Sequence, residues 1–209
     1  MFTGLVEAMG EVAEAHLTPQ GLTLTITLPE AMAQSLTLGA SIAIDGVCTT
    51  VIGQSSTSFT IEATPETLNC TLLGQYAVGR LVNLERPVAL QTPLGGHVVT
   101  GHVDGLGTLT RLEAQGNSWV LAIDVADTAW LPYLIDKGSV AMNGISLTVN
   151  RTTPTGFEVA IIPHTWQVTQ LHQCKVGDAV HLEFDPIGKY VLRAIALGYG
   201  QAVRKTSMV

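Results

Sequence analysis

The sequence predicts an all-β protein, two tandem copies of one small closed barrel followed by a single α-helix. Three features predict it: an internal repeat, short strand-like runs that recur in both halves, and one stretch of helical period near the end. The repeat is the most informative. Ser41–Val51 lies over Ser139–Val149 at an offset of 98 residues (139 − 41), with Ser, Ala, Gly, Thr and Val recurring at matching positions. The same offset sets Phe59 on Phe157, Pro65 on Pro163, Thr67 on Thr165 and Thr71 on Thr169. It also sets Val78 and Gly79 on Val176 and Gly177, and Val82, Leu84 and Glu85 on Val180, Leu182 and Glu183. Nearer the front an offset of 97 (100 − 3) matches Thr3 and Gly4 with Thr100 and Gly101, Val6 with Val103, and Gly10 with Gly107. One loop insertion accounts for the change of offset. So many ordered matches mark a duplication.

Each copy reads as β structure. Leu22–Leu28 alternates apolar residues with Thr, the period-2 pattern of a half-buried strand. Ser41–Val51, Ser58–Ala63 and Arg80–Glu85 are further short, β-branched runs set apart by Gly-containing turns. The second copy repeats them at Trp119–Val125, Ser139–Val149, Phe157–Ile162 and Ala179–Phe184. About six short strands per copy favour closure, because a closed sheet exposes no edge. Pro87, Pro93 and the pair Gly95-Gly96 break the pattern. They set the expected division: a first barrel over 1–94, a second over 95–186, and a helix with its tail over 187–209. After Asp185 and Pro186, residues Ile187, Tyr190, Val191, Ala194 and Ile195 share one helix face, with Gly198 and Gly200 as stop signals. This helix has no counterpart after the first copy. Its apolar face has two readings: it packs on its own barrel, or it meets the same helix in neighbouring subunits.

Composition excludes several classes. With 209 residues, 46% hydrophobic and only 13% charged, the chain carries less charge than the usual share of about 25%, which points to surface covered by another copy. The 17 acidic and 10 basic residues give a net charge of −7, and no Lys/Arg stripe forms, so neither nucleic acid nor a membrane surface is an expected partner. No basic segment followed by an apolar run opens the chain, and no apolar run reaches the roughly 18 residues a membrane span needs, so neither a leader nor an anchor is expected. Cys48, Cys70 and Cys174 are odd in number and widely spaced, which favours a reducing cytoplasm. His16, His97, His164, His172 and His181 are scattered without ligand spacing, so no metal site is expected. Gly101–Gly107 is glycine-rich, but no βαβ unit surrounds it, so no nucleotide site is expected there.

A family resemblance covers most of the chain, from Met1 to about Val191. Met1–Glu7, Asp45–Cys48, Pro65–Leu68, Val82–Arg86 and Gly95–Asp104 resemble, in order, motifs of the riboflavin synthases with tandem lumazine-binding repeats. Lys137-Gly138, Gly144–Val149, Ile162–Thr165 and Phe184–Lys189 continue the series. Thr49 departs from it, since the family usually has Leu after the cysteine. The resemblance implies two six-stranded Greek-key β-barrels per chain, related by pseudo-two-fold symmetry, and a homotrimer joined through the C-terminal helices. It implies a dismutation in which one 6,7-dimethyl-8-ribityllumazine gives a four-carbon unit to a second. The products would be riboflavin and 5-amino-6-(D-ribitylamino)uracil, made without metal or cofactor. The alternative is a non-enzymatic lumazine- or flavin-binding antenna protein, similar over the whole chain but keeping one working ligand site.

Twin pockets suit a reaction that consumes two identical molecules, because holding both removes much of the entropic barrier. Glu62, Ala63, Thr64, Pro65, Glu66 and Thr67 in one copy are expected to frame the flat ring's edge. Ala160, Ile161, Ile162, Pro163, His164, Thr165, Trp166 and Gln167 do so in the other. Val47, Cys48, Thr49 and Thr50, with Ser146, Leu147 and Thr148, are the expected contacts to the ribityl tails. Gly4, Leu5 and Val6, and Gly101, His102 and Val103, would close the two mouths, with Lys137 nearby and Phe2 capping a ring. The chemistry needs a proton lost from the C7 methyl of one lumazine and a nucleophile added at C7 of the other. His102 is favoured for proton transfer because imidazole titrates near neutrality, and the first copy has Leu5 at its place. Cys48, opposite Ser146 in the alignment, can add to an electrophilic carbon or help activate water. Ser41 and Thr148 can steer a nucleophile or proton, and Asp185, aligned with Pro87, can orient a hydroxyl or histidine. The resemblance implies that these five residues lie near an interface between subunits.

Overall fold

The computed structural model describes residues 1–199. Strands β1 (Ala8–Thr18), β2 (Gly21–Thr27), β3 (Ser41–Ile44), β4 (Val47–Gln54), β5 (Ser58–Ala63) and β6 (Leu81–Glu85) close into one barrel. Strands β7 (Gly105–Gln115), β8 (Ser118–Val125), β9 (Ser139–Met142), β10 (Ile145–Thr152), β11 (Gly156–Ile161) and β12 (Ala179–Phe184) close into a second. Around the ring the first runs β1-β2-β5-β4-β3-β6 and the second β10-β11-β8-β7-β12-β9, the same antiparallel order displaced by six strands. Four short helices punctuate them: α1 (Glu30–Ala33), α2 (Pro65–Cys70), α3 (Pro163–Val168) and α4 (Pro186–Ala196).

The alternating Thr and apolar residues of β2 place Leu22, Leu24 and Ile26 inside, where they meet Ile42, Ile44, Val51, Phe59, Ile61, Val82 and Leu84. The second interior is filled by the matching set, including Leu121, Ile123, Val140, Val149, Phe157, Val159 and Leu182. Register shifts at Val12/Glu14 and Val51/Gly53 recur at Leu109/Arg111 and Val149/Arg151. These bulges add the bend that lets short sheets close.

Two expectations change. Ser41–Val51 and Ser139–Val149 are each two strands, because Asp45 (φ 46°) and Gly46 (φ 81°), like Asn143 (φ 47°) and Gly144 (φ 76°), form two-residue turns of left-handed backbone. β1 and β7 are long strands that no sequence run announced. β1 is rich in Ala and Glu, good helix formers, and its outer half lies exposed, so period-2 alternation is weak.

The barrels meet about a local two-fold axis at these turns. A Cβ on Gly46 would fall 2.6 Å from Gly144 N, and one on Gly144 2.6 Å from Gly46 N, so neither position admits a side chain. Around the contact, Asn83 Nδ2 donates to Asn143 O (2.9 Å), and Asn83 Oδ1 accepts from Gln170 N (2.8 Å). His181, the matching residue, bonds Asp45 O through Nδ1 (2.9 Å) and accepts from Leu72 N at Nε2 (2.7 Å). Its ring is therefore neutral, and burial pushes its pKa down to about 4. Asp45 accepts from Asn83 N (2.7 Å) and Tyr76 OH (2.5 Å). Burial nevertheless pushes its carboxyl up to about 6.

Asp185 caps α4, its Oδ1 accepting from Ile187 N (2.9 Å), and Lys189 Nζ reaches Asp104 Oδ2 (2.6 Å) to tie the helix to the second barrel. Ile187, Tyr190, Val191 and Ile195 remain 52–78% exposed, so this chain's own barrel does not cover that face. Gly198 (φ 78°) follows the helix. Gly200 and the rest of the tail, 200–209, lie outside the described residues. Among the described residues no helix is long and apolar enough to cross a membrane.

Candidate ligand site

Each barrel's mouth is closed by the segment of chain that leads into the other barrel. Glu85, at the end of β6, accepts from Thr3 N (2.6 Å), Thr3 Oγ1 (2.8 Å) and Gly4 N (3.0 Å). Burial raises its pKa, and the three donors work against that rise. Glu183, its repeat on β12, accepts from Thr100 N (2.6 Å), Thr100 Oγ1 (2.7 Å) and Gly101 N (2.9 Å). So clasped, Gly4 O accepts from Ser146 N (2.8 Å) on the second barrel, and Gly101 O accepts from Cys48 N (2.9 Å) on the first. Both glycines have positive φ, and a Cβ on either would lie 2.6 Å from the Cβ of Ser146 or Cys48. Side chains are excluded there. The ladder of backbone bonds carries the crossing instead.

At the first mouth, β4 presents Cys48 half-buried and Thr50 exposed, and Ser41 faces Thr50 across the β3–β4 register. Glu62, next to last in β5, is exposed, and α2 begins with Thr64 as its cap over exposed Pro65 and Glu66 and half-buried Thr67. From the other barrel's lead-in, His102 is exposed, held by its N–H to Thr100 Oγ1 (3.3 Å), and Val103 packs against the first core. A cleft of about 600 Å³ lies beside Ser41, between Thr3, Leu5, Arg86 and Val88 on the linker side; Cys48, Thr50, Glu62 and His102 do not line it.

At the second mouth, Ser146 is half-buried and Thr148 exposed, the latter paired with Ser139. Ala160, Ile162, Pro163, His164 and Gln167 are exposed along the β11–α3 corner, and Thr165 is half-buried. Leu5 is exposed and Val6 packs on the second core. Lys137 is exposed with φ 66° and donates its N–H to Val149 O (2.7 Å). Gly39 makes the matching bond to Val51 O (2.8 Å) in the first barrel.

Several expected contacts are corrected. Phe2 is fully buried between the barrels with Ala43, Val99 and Ala141, its backbone paired with Val99, so it is an inter-barrel wedge and not a ring cap. Val47 and Leu147 turn their side chains into the barrel interiors, as strand alternation requires; Ala63 and Ile161 do the same, which leaves only their backbone groups to meet a ring edge. Thr49 is buried too, its Oγ1 donating to Ile42 O (3.0 Å). Trp166 spends its ring on Trp119, stacked at 4.4 Å and 8°. The five expected catalytic residues divide: Ser41, Cys48 and His102 belong to the first mouth, and Thr148 and Asp185 to the second barrel. Sequence reasoning passed over His97, whose Nδ1 lies 2.7 Å from Ser146 Oγ, and left unread the clasping role of Glu85 and Glu183. The signal for His97 was the preceding Gly95-Gly96, which lets the linker come close. Among the described residues no three His, Cys, Asp or Glu side chains gather to hold a metal.

Two duplicated barrels, each offering a polar strand and a strand-to-helix corner at a mouth closed by its twin's lead-in, define a tandem ligand-binding β-barrel protein. The Lumazine binding domain family matches residues 3–87 and again 100–185. The riboflavin synthase of Actinobacillus pleuropneumoniae is 41% identical over 191 residues, covering 91% of this chain and 88% of that protein. That of Mycobacterium bovis is 40% identical over 197 residues, covering 92% and 97%. Among solved structures, LumP complexed with riboflavin superposes with a TM-score of 0.82 at 20% identity, covering 88% of this chain and 99% of that one. LumP complexed with 6,7-dimethyl-8-(1'-D-ribityl) lumazine gives a TM-score of 0.80 at 20% identity, with the same coverage. At that identity the likeness speaks for the fold. The chain belongs to the riboflavin synthase family.

Proposed function

We propose that the chain catalyses the dismutation of two 6,7-dimethyl-8-ribityllumazine molecules. One gives a four-carbon unit to the other, leaving riboflavin and 5-amino-6-(D-ribitylamino)uracil. The observation that carries this reading is that both mouths are equipped with polar groups, and differently. Cys48 and His102 stand at one, and Ser146, Thr148 and Lys137 at the other. Two identical molecules held by unlike sites can take unlike roles, donor and acceptor. His102 serves proton transfer, Cys48 the nucleophilic side, Ser41 and Thr148 steer, and Asp185 orients. The ligand's own conjugated ring takes up the carbanion, so the residues supply orientation and proton handling and call on no cofactor.

The division of Ser41, Cys48 and His102 from Thr148 and Asp185 favours a site completed by a second copy. The first barrel of one subunit then faces the second barrel of the next, in a homotrimer assembled through the open apolar face of α4. The three free thiols suit the cytoplasm. A binding-only antenna is the weaker reading, favoured by the likeness to LumP. Purified protein given the ribityl-lumazine alone separates the two. Riboflavin fluorescence should appear without added metal or nucleotide, whereas bound but unconverted lumazine would leave the antenna.

A further inference from the structure

One buried titratable group at the second mouth has no role in that reaction scheme. His97 is only 9% exposed, with Nδ1 2.7 Å from Ser146 Oγ and Nε2 buried without a partner. Its backbone is fixed, His97 N donating to Thr3 O (3.2 Å). The approach depends on Gly96, where a Cβ would lie 2.0 Å from Thr3 O and 3.0 Å from Ser146 Oγ. Burial holds the ring below the usual imidazole range, with the Asp185 carboxylate at the head of α4 pulling the other way. A neutral ring keeps one nitrogen free to accept a hydrogen bond. The first mouth is built otherwise. Cys48 stands where Ser146 stands, and it packs against Phe2, Ala43, Val99 and Ala141.

We propose that His97 is a positioning residue that makes the second mouth selective for the ligand's polyol tail. It accepts the Ser146 hydroxyl hydrogen at Nδ1, so that the lone pairs of Oγ face outward to receive a ribityl hydroxyl. The inference rests on the lumazine reading and adds to it which mouth grips the tail and through what. Ser146 touches the ligand, and His97 acts through Ser146. A hydroxyl free to rotate would spend part of its time pointing its hydrogen at the incoming donor. The histidine removes that freedom.

Equilibrium titration of the full chain with two ligands tests it: 6,7-dimethyl-8-ribityllumazine, and the 8-ethyl analogue that lacks the hydroxyls. His97→Ala should weaken one class of site for the ribityl compound by about tenfold, the worth of one buried hydrogen bond. It should leave the other class, and the analogue, unchanged. His97→Asn keeps an acceptor near the Nδ1 position and should restore most of the loss. Ser146→Ala should show the same loss, with no further drop when His97→Ala is added. If His97→Ala does not fold, the Asn and Ser146 variants carry the same comparison. Equal losses for both ligands, no loss for either, or additive losses in the double variant would overturn the proposal. Failure to make riboflavin with this tail selectivity intact would count against the dismutation and not against His97.

Discussion

Asn83 and His181 occupy the same place in the two barrels and do the same two tasks: each bonds the carbonyl of the opposite turn and accepts an N–H from the opposite barrel. Glu85 and Glu183 likewise clasp equivalent segments with three bonds each. At the mouths several positions differ. Cys48 faces Ser146 in the alignment, Leu5 faces His102, Gly39 faces Lys137, and Leu22 and Leu68 stand where Trp119 and Trp166 stack. The copies keep the same bonding geometry where they touch each other, while at the mouths some positions differ and others, such as Thr50 with Thr148 and Thr67 with Thr165, recur. Contact at the axis demands matched geometry, whereas two ligands with different fates demand unmatched chemistry.

The largest test of that contrast is at the mouths. His102→Ala should cut turnover by roughly 100-fold or more, as for loss of a general acid or base, with little change in ligand affinity. Leu5→Ala, the matching change, should leave kcat near that of the unaltered chain. Steady-state rates beside ligand titrations decide. Equal losses in rate and affinity for His102→Ala would deny it a chemical role.

The axis supplies the next test, through pH. His181 titrates at about 4 in the fold against an ordinary 6.5, so its contribution is full above 6.5 and is lost as pH falls to 4. Asp45, raised from 3.8 to about 6, works oppositely: its contribution is full below 3.8 and is lost as pH rises through 6. Between 6 and 4 the two offset. Asp45→Asn copies Asn143 into the first barrel and leaves His181 alone. The variant should lose about 3 kcal/mol between pH 6.5 and 4, read from urea midpoints, while the unaltered chain stays nearly flat. A flat profile in the variant would mean that His181 does not accept from Leu72.

The smallest effect is at Lys137, which holds the left-handed conformation that Gly39 holds in the first barrel. Lys137→Gly should stabilise the fold by about 1 kcal/mol by relieving the Cβ clash, while weakening ligand binding at the second mouth only. A denaturation midpoint beside a titration checks both halves.

Thr–apolar alternation in β2 and the recurrence of Phe59 at Phe157 made the barrels and their duplication legible, because burial on one face imposes period 2. The Ala- and Glu-rich β1 was illegible, since only its inner half is enclosed. At the site, the alignment picked out Cys48, Ser146 and His102, but it could not say that Gly4 belongs to Ser146 and Gly101 to Cys48. Partners chosen across barrels leave no local pattern. His97 was hidden for the same reason, as were the inward turns of Thr49 and Leu147, which depend on the phase of a strand once its hairpin is placed.

The back-to-back turns at Gly46 and Gly144 also bear on how such a gene can change after doubling. A side chain at either glycine would strike the other turn's backbone, so drift there must be matched or purged, and the two halves are yoked. At the rims the same constraint holds Gly4 against Ser146 and Gly101 against Cys48, but their neighbours Leu5 and His102 are exposed, and there each half is free to specialise. The close fit of the halves thus records where selection had to treat them as one object, and these exposed positions record where it could treat them as two.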